Sequence, residues 1–186
     1  MIKVQNREDF LKELSKILPS KCSAVEVGVL YGDFSKQILE VLEPETLILI
    51  DPYSVSDSKY DEALHSLATA YSTESDYVNL LNRFDDNIKS EQVLVNREYS
   101  YHAVKNIPNN SLDLVYLDGS HVYFDVKRDL VDWIPKLKLD GVMSGHDHIE
   151  HQSFGVIQAV KEFCEEHGFK MLLFNTNGGD WALKRI

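Results

Sequence analysis

The sequence predicts an α/β fold: a Rossmann-like, seven-stranded, mostly parallel sheet with an antiparallel last strand and helices on both faces. Three observations predict it. Short apolar runs alternate repeatedly with amphipathic helical stretches along the 186 residues, the pattern of a parallel sheet with crossover helices. The runs TLILID (46–51) and LDLVYLD (112–118) are almost continuously apolar and end in an acid, as strands covered on both faces do. The chain closes with KMLLFN (170–175), the turn TNGGD and WALKRI (181–186), which reads as a hairpin.

Each element follows from local pattern. Phe10, Leu11, Leu14, Ile17 and Leu18 repeat at helical spacing, with Asn6 as cap and Pro19 as stop. SAVEVGV (23–29) is a strand, and Phe34, Ile38, Val41 and Leu42 form a helical face ended by Pro44. After TLILID, segment 54–90 is polar and dotted with Tyr; one or two helices are expected, since Leu64, Leu67, Ala68 and Tyr71 share a face. QVLVN (92–96) is a third strand, followed by a short helix near 101–106 and the strand LDLVYLD. Val126, Leu130, Trp133, Ile134 and Leu137 then mark a helix, with Trp133 in the core and Arg128 and Asp129 as surface or ion-pair residues. GVMSG (141–145) is a strand, and 155–167 is the last helix. No repeat or linker breaks the chain, so 1–186 reads as one domain.

Lys and Arg number 19 against 30 Asp and Glu, for a net charge of −11. That balance argues against nucleic acid and anionic membrane as partners, because both are held by clustered basic residues. No apolar stretch approaches the roughly 20 residues that span a bilayer, and the opening MIKVQNREDF lacks the apolar core of a signal peptide. Cys22 and Cys164 have no metal or redox spacing, so reduced thiols in the cytoplasm are expected.

In parallel sheets ligands gather at the carboxyl ends of the strands. The first such loop runs Glu26-Val27-Gly28-Val29-Leu30-Tyr31-Gly32-Asp33-Phe34-Ser35. Gly28 permits a sharp turn off the strand and Gly32 a close start to the helix. Leu30 stands where a dinucleotide fingerprint has its second glycine, so a pyrophosphate is disfavoured. Glu26 would repel a phosphate but suits an ammonium. Asp51, about 20 residues after Gly28, can accept ribose hydroxyls. An adenosine cofactor with no phosphate and a charged amino-acid tail fits these facts, and S-adenosyl-L-methionine is such a molecule. A glycine turn with an acidic helix cap and no ligand is the bland alternative.

Several motifs in this order resemble the class I S-adenosylmethionine-dependent methyltransferases. They are Glu26-Val27-Gly28 through Gly32 and Ser35, Ile50-Asp51-Pro52-Tyr53, Tyr99-Ser100, Leu117-Asp118-Gly119-Ser120-His121 with Tyr123 and Asp129, and Gly141-Val142 through Gly145-His146-Asp147. The chain most resembles the methyltransferase domain 24 group, which is related to the macrocin-type sugar O-methyltransferases. The resemblance implies that Glu26, Gly28 and Gly32 surround the methionine moiety, that Asp51 binds the ribose and that Tyr99 and Ser100 lie near the adenine. Leu30, Tyr31, Ser35, Pro52, Tyr53 and Asp118 complete the expected cofactor contacts. One departure stands out: Arg97-Glu98-Tyr99-Ser100 lacks the glycine-containing turn usual in the family.

Four of the seven histidines, His121, His146, His148 and His151, fall in two loops together with Asp118 and Asp147. Such a group suits acid/base work or a divalent metal. An alcohol needs its proton removed as it attacks a sulfonium methyl, so His121 is the candidate general base, with Asp118 beside it. Capping of the following helix and metal ligation are the other readings of His121. The related sugar enzymes imply a metal-bound diol, and the corresponding positions here are Asp118, Asp147 and His148, with Mg²⁺ or Mn²⁺ as the ion. Imidazole is a less usual Mg²⁺ ligand than carboxylate. His146 and His151 read as solvated loop residues.

The function expected is methyl transfer from S-adenosyl-L-methionine to a hydroxyl of a sugar or glycan. Transfer to a catechol or other small phenol is the alternative within the same chemistry. A non-catalytic cofactor-binding module of a larger enzyme is the alternative outside it. The expected partners are a small-molecule or glycan substrate and, in assembly, a homodimer or a larger enzyme of which this is one domain.

Overall fold

The structure is a computed structural model that describes residues 1–53 and 72–186. The helical face expected from Leu64, Leu67, Ala68 and Tyr71 lies outside the described residues.

Among the described residues eight strands form one sheet. In chain order they are β1 (Ile2–Val4), β2 (Ser23–Val27), β3 (Thr46–Ile50), β4 (Val93–Asn96), β5 (Leu112–Leu117), β6 (Leu137–Gly145), β7 (Phe169–Asn175) and β8 (Trp181–Arg185). Their order across the sheet is β1-β7-β8-β6-β5-β2-β3-β4. Every neighbouring pair is parallel except those involving β8, which runs against both β6 and β7. The mostly parallel sheet with an antiparallel last strand is therefore present, with eight strands where seven were expected. The extra one is β1. Its three residues are too few to show a period, and their partner β7 (Leu173–Asn175) lies at the far end of the chain.

The helices are α1 (Arg7–Ser15), α2 (Asp33–Leu42), α3 (Glu74–Arg83), α4 (Asp85–Lys89), α5 (Ser100–Ala103), α6 (Tyr123–Trp133) and α7 (Val156–His167). Asn6 caps α1, its side chain accepting from the amide of Asp9 at 2.8 Å; such a cap stabilises a helix by about 1 kcal/mol. Thr73 and Asp76 form a reciprocal capping box at the start of α3.

Successive strand residues point to opposite faces, and two cores result. Ala24, Leu47, Leu49, Leu114 and Tyr116 pack under α1, α2 and α3 through Phe10, Leu14, Phe34, Ile38 and Leu80. Val25, Val27, Ile50, Val115 and Met143 pack under α6 and α7 through Val126, Leu130, Trp133, Val160 and Phe163. Full burial of such a side chain contributes roughly 1.5–3 kcal/mol.

One boundary departs from expectation. The helical pattern through Leu137 ends earlier: α6 stops at Trp133, Ile134–Lys136 is a 3₁₀ turn carrying Pro135, and Leu137 already begins β6. A proline has no amide hydrogen with which to continue the α ladder. The first half of β6 is exposed at Leu139 and Asp140, so it lacks the apolar run that marks GVMSG. No described helix is long and apolar enough to cross a membrane.

β2 has β5 on one side and β3 on the other. The connections leaving it diverge there, which opens the crevice where α/β sheets bind ligands. Residues 28–32, 51–53, 97–99, 118–122 and 146–155 all follow the carboxyl ends of these parallel strands.

Candidate active site

The loop after β2 is shaped by Asp51. Its Oδ2 accepts the amides of Val29 at 3.0 Å and Leu30 at 3.1 Å. Its Oδ1 accepts the Tyr53 amide at 3.1 Å and the Ser72 hydroxyl. A carboxylate has about four lone-pair positions, so Asp51 is fully engaged in holding this loop. Leu30 adopts a left-handed φ of 52°, a conformation that costs a non-glycine residue about 1–3 kcal/mol unless its surroundings impose it. They do: besides the Asp51 bond, the Leu30 carbonyl accepts the buried Tyr53 hydroxyl at 3.0 Å. Tyr53 itself has φ 42°. Its carbonyl accepts Nη2 of Arg97 at 2.6 Å, and Arg97 also pairs with Glu74 and lies 4.6 Å over the Tyr77 ring. Arg97 thus braces the segment where the family's glycine turn is missing.

Gly28 lies at φ 85°, and a Cβ there would come within 2.2 Å of the Asp118 carbonyl oxygen. This is the point at which the two halves of the site touch. Gly32, at φ 73°, packs against Leu80 and Phe84. Glu26 is 1% exposed and accepts the Ser35 hydroxyl at 2.5 Å. Burial pushes its pKa up to about 8, because removal from water disfavours the charged carboxylate. Tyr31 and Pro52 stand at the rim, Tyr31 exposed and Pro52 half-buried.

Tyr99 is half-buried and stacks on Tyr101, ring centres 5.6 Å apart. Ser100 turns inward: its hydroxyl donates to Asp129 at 2.8 Å and accepts from Trp133 Nε1 at 2.9 Å. Asp129 is therefore buried, where the sequence reading made it a surface or ion-pair residue. Burial raises its pKa to about 7. The signal was there to read, since position 129 falls on the inward face defined by Val126, Leu130 and Trp133. Glu98 was missed as well; its Oε2 is buried without a hydrogen-bond partner among the described residues.

Beyond β5 and β6 a cleft is lined by Asp118, His121, Asp129, His146, Asp147 and Trp181, among others. His121 Nε2 lies 2.8 Å from Asp147 Oδ2. His146 Nδ1 lies 3.2 Å from the same oxygen and 3.6 Å from Asp118 Oδ1. His146, expected as a solvated loop residue, is thus central to the cluster. The hydrogen bond to Asp147 raises the His121 pKa, outweighing burial. For His146 burial acts to lower the pKa, but Asp118 and Asp147 overcome it and push it up to about 10. Burial acts to raise Asp147, yet its two imidazole partners hold it below the usual carboxylate range. Burial dominates at Asp118 and raises it. Asp147 has a left-handed φ of 57°, and the strain of that conformation presents its carboxylate to both imidazoles.

The expected metal set needs one correction. Among the described residues, ligand atoms of Asp118, His121 and Asp147 lie within 4.8 Å of one another, and His148 is not part of that group. His148 instead donates its amide to the Gly179 carbonyl at 3.0 Å and sets its ring edge-on to Phe174; burial lowers its pKa. His151 stacks on Phe154, whose ring also contacts His121 at 4.4 Å.

The site thus joins a parallel sheet with one reversed strand, a glycine turn off its central strand and acids at the neighbouring strand ends. A family model described as a methyltransferase domain matches residues 25–148, and the chain belongs to that family. An uncharacterized protein of Sinorhizobium fredii, y4gI, is 38% identical over 82 aligned positions, which take in 39% of this chain and 9% of that protein. The chain therefore spans only a small part of that relative. Solved structures share the fold. One of Clostridium thermocellum titled as an rRNA methylase superposes with a TM-score of 0.69 at 10% identity, covering 98% of this chain and 97% of that one. A Staphylococcus aureus protein titled as a caffeoyl-CoA O-methyltransferase gives 0.66 at 13% identity, covering 98% and 86%. TYW2 of M. jannaschii, solved with S-adenosylmethionine, gives 0.54 at 14%, covering 98% and 78%.

Proposed function

We propose that the protein transfers a methyl group from S-adenosyl-L-methionine to a hydroxyl of a sugar or glycan, with His121 as general base. The observation that carries this reading is the His121–Asp147 pair at 2.8 Å, placed in the cleft beside the Gly28 turn. When bound, S-adenosyl-L-methionine supplies an electrophilic methyl on a sulfonium. The residues of the chain have the remaining work of binding, alignment and proton removal. Asp147 accepts at His121 Nε2, orients the ring and leaves Nδ1 as the nitrogen that takes the acceptor's hydroxyl proton. His121 would hold that proton at Nδ1 while the Gly28 turn and the loop shaped by Asp51 would hold the methyl donor against the acceptor oxygen. General-base assistance of this kind contributes about 10²–10⁴-fold. Asp51 holds the loop that receives the nucleoside, and Glu26 faces the cationic tail.

A divalent cation is a second reading, favoured by the convergence of Asp118, His121 and Asp147. Two carboxylates and an imidazole fit Mn²⁺ better than Mg²⁺. Such an ion would lower the pKa of an acceptor hydroxyl. It would also take the His121 nitrogen that now faces Asp147, so the base and the metal are competing uses of one atom.

Titration calorimetry with S-adenosyl-L-methionine, followed by methyl transfer to a panel of glycosides and catechols with and without Mn²⁺ and EDTA, tests these readings. Binding, with turnover on a glycoside that survives EDTA and is lost in His121→Ala, is the expected result. Turnover on catechols alone moves the acceptor to a phenol. Loss of turnover in EDTA gives the site to the metal. Binding without turnover on either class would leave a cofactor-binding module of a larger enzyme.

A further inference from the structure

Arg7 lies outside the matched family segment, yet its side chain reaches the centre of the site. It begins α1, which packs against α2 over the first core. Its Nε donates to Asp180 Oδ1 at 2.9 Å and its Nη2 to the Tyr116 hydroxyl at 3.2 Å. The guanidinium lies 4.3 Å over the Phe34 ring, and Nη2 is 3.7 Å from Asp118 Oδ2. Asp180 is fully buried and also accepts from Tyr116 at 2.6 Å and Asn175 at 2.7 Å. One Arg7 donor therefore suffices for Asp180. Among the described residues Nη1 has no hydrogen-bond partner, and the side chain keeps 28% exposure.

The sheet register shows what shares this space. Glu26 stands directly opposite Tyr116 across the β2–β5 pair, and paired residues of parallel strands point to the same face. Asp118 lies two residues beyond Tyr116 at the strand's end. Arg7 is thus the cation of a patch that holds Glu26 and Asp118, and its charge acts on both carboxyls. Two acids and a partly free guanidinium at one strand end match an α-ammonium and an α-carboxylate on the same carbon.

We propose that Arg7 binds the α-carboxylate of the cofactor's amino-acid tail through its free Nη face while Glu26 and Asp118 hold the α-ammonium. The inference rests on the cofactor reading above and adds a residue that selects for the intact tail. A planar fork suits a carboxylate better than an ammonium does, so lysine is a poor substitute here.

The test compares S-adenosyl-L-methionine with its decarboxylated form, which keeps the adenosine, sulfonium and amine. Wild type, Arg7→Met and Arg7→Lys are titrated with both. Wild type should prefer the carboxylated ligand. Arg7→Met should lose about 10- to 100-fold affinity for it, the range of a charged hydrogen bond, and less than threefold for the decarboxylated one. Arg7→Lys keeps a cation against Asp180 and so guards against misfolding; it should lose about tenfold in the same ligand-specific way. Equal losses for both ligands, or no loss, would assign Arg7 to packing alone and overturn the inference while the cofactor reading stands. Failure of the wild type to bind either ligand would overturn both.

Discussion

The two halves of the site hold their acids by different means. On the β2–β3 side, Asp51 accepts three backbone amides and a hydroxyl. None of these donors is a charged side chain, so the loop around Leu30 is held by backbone and hydroxyl groups alone. On the β5–β6 side, Asp118 and Asp147 answer to His121, His146 and Arg7. Two of those partners are imidazoles, whose charge follows the proton. In the proposed reaction the first half receives the cofactor in a fixed pose, and the second takes up the acceptor's proton. A methyl transfer asks for this division: positioning supplies much of the rate, and the acceptor's proton must go to a group that can take it.

Gly28 joins the halves, and the largest effect is expected there. Gly28→Val places a branched carbon at φ 85°, where even a Cβ stands 2.2 Å from the Asp118 carbonyl. Strain and overpacking together should cost about 3–5 kcal/mol. A urea titration measures it, and a midpoint equal to wild type would mean that the strand ends are not in contact as described.

Within the proton-exchanging half, His121→Ala should lower turnover by about 10²–10⁴-fold. Calorimetry should find S-adenosylmethionine affinity nearly unchanged. A parallel loss of affinity would erase the distinction between the halves, because a proton acceptor would then also be shaping the cofactor pocket.

Asp51→Asn probes the fixed half. It keeps one accepting oxygen but turns the other into a donor that faces donors. Whichever way the amide is set, Tyr53 or the Val29–Leu30 pair loses its acceptor, which should lower stability by about 1–3 kcal/mol and weaken the cofactor, with no change in the pH profile of turnover. A shifted profile would argue that Asp51 couples to the histidines.

The smallest effect separates burial from pairing. Glu26 has its pKa raised to about 8 by burial, from an ordinary value of 4.5. Between these values the folded protein binds the proton more tightly than the unfolded chain, so stability should fall as pH rises from about 4.5 to 8. Melting temperatures of wild type and Glu26→Gln across that window check it. The wild-type curve should drop by several degrees more than the variant's, and parallel curves would mean that Glu26 ionises freely.

Much of this was legible from local pattern. Asn6, Pro44 and the apolar runs placed the helices and the inner strands, because caps and periods act within a few residues. The strand ends then singled out Glu26, Gly28, Asp51, Asp118, His121 and Asp147 through topology alone. Other features were not legible for a common reason. β1 pairs with a strand at the opposite end of the chain, and Arg7 meets Asp180 across nearly the whole sequence. His146 looked like a solvated loop residue because nothing nearby in the chain announces that Asp118 and Asp147 will close around it. Asp129 was the avoidable error, since helical spacing alone turns it inward toward Ser100.

By itself the sequence determined the order of strands and helices, the two-faced core and the glycine turn, all consequences of short-range periodicity and backbone sterics. Only the tertiary structure decided which acids pair with imidazoles and which hold a loop. It also decided that His121 and not His148 joins Asp118 and Asp147, and that a residue of the first helix reaches the strand end. Those choices depend on distances of a few ångströms between segments far apart in the chain, and it is the packing of the sheet that sets such distances.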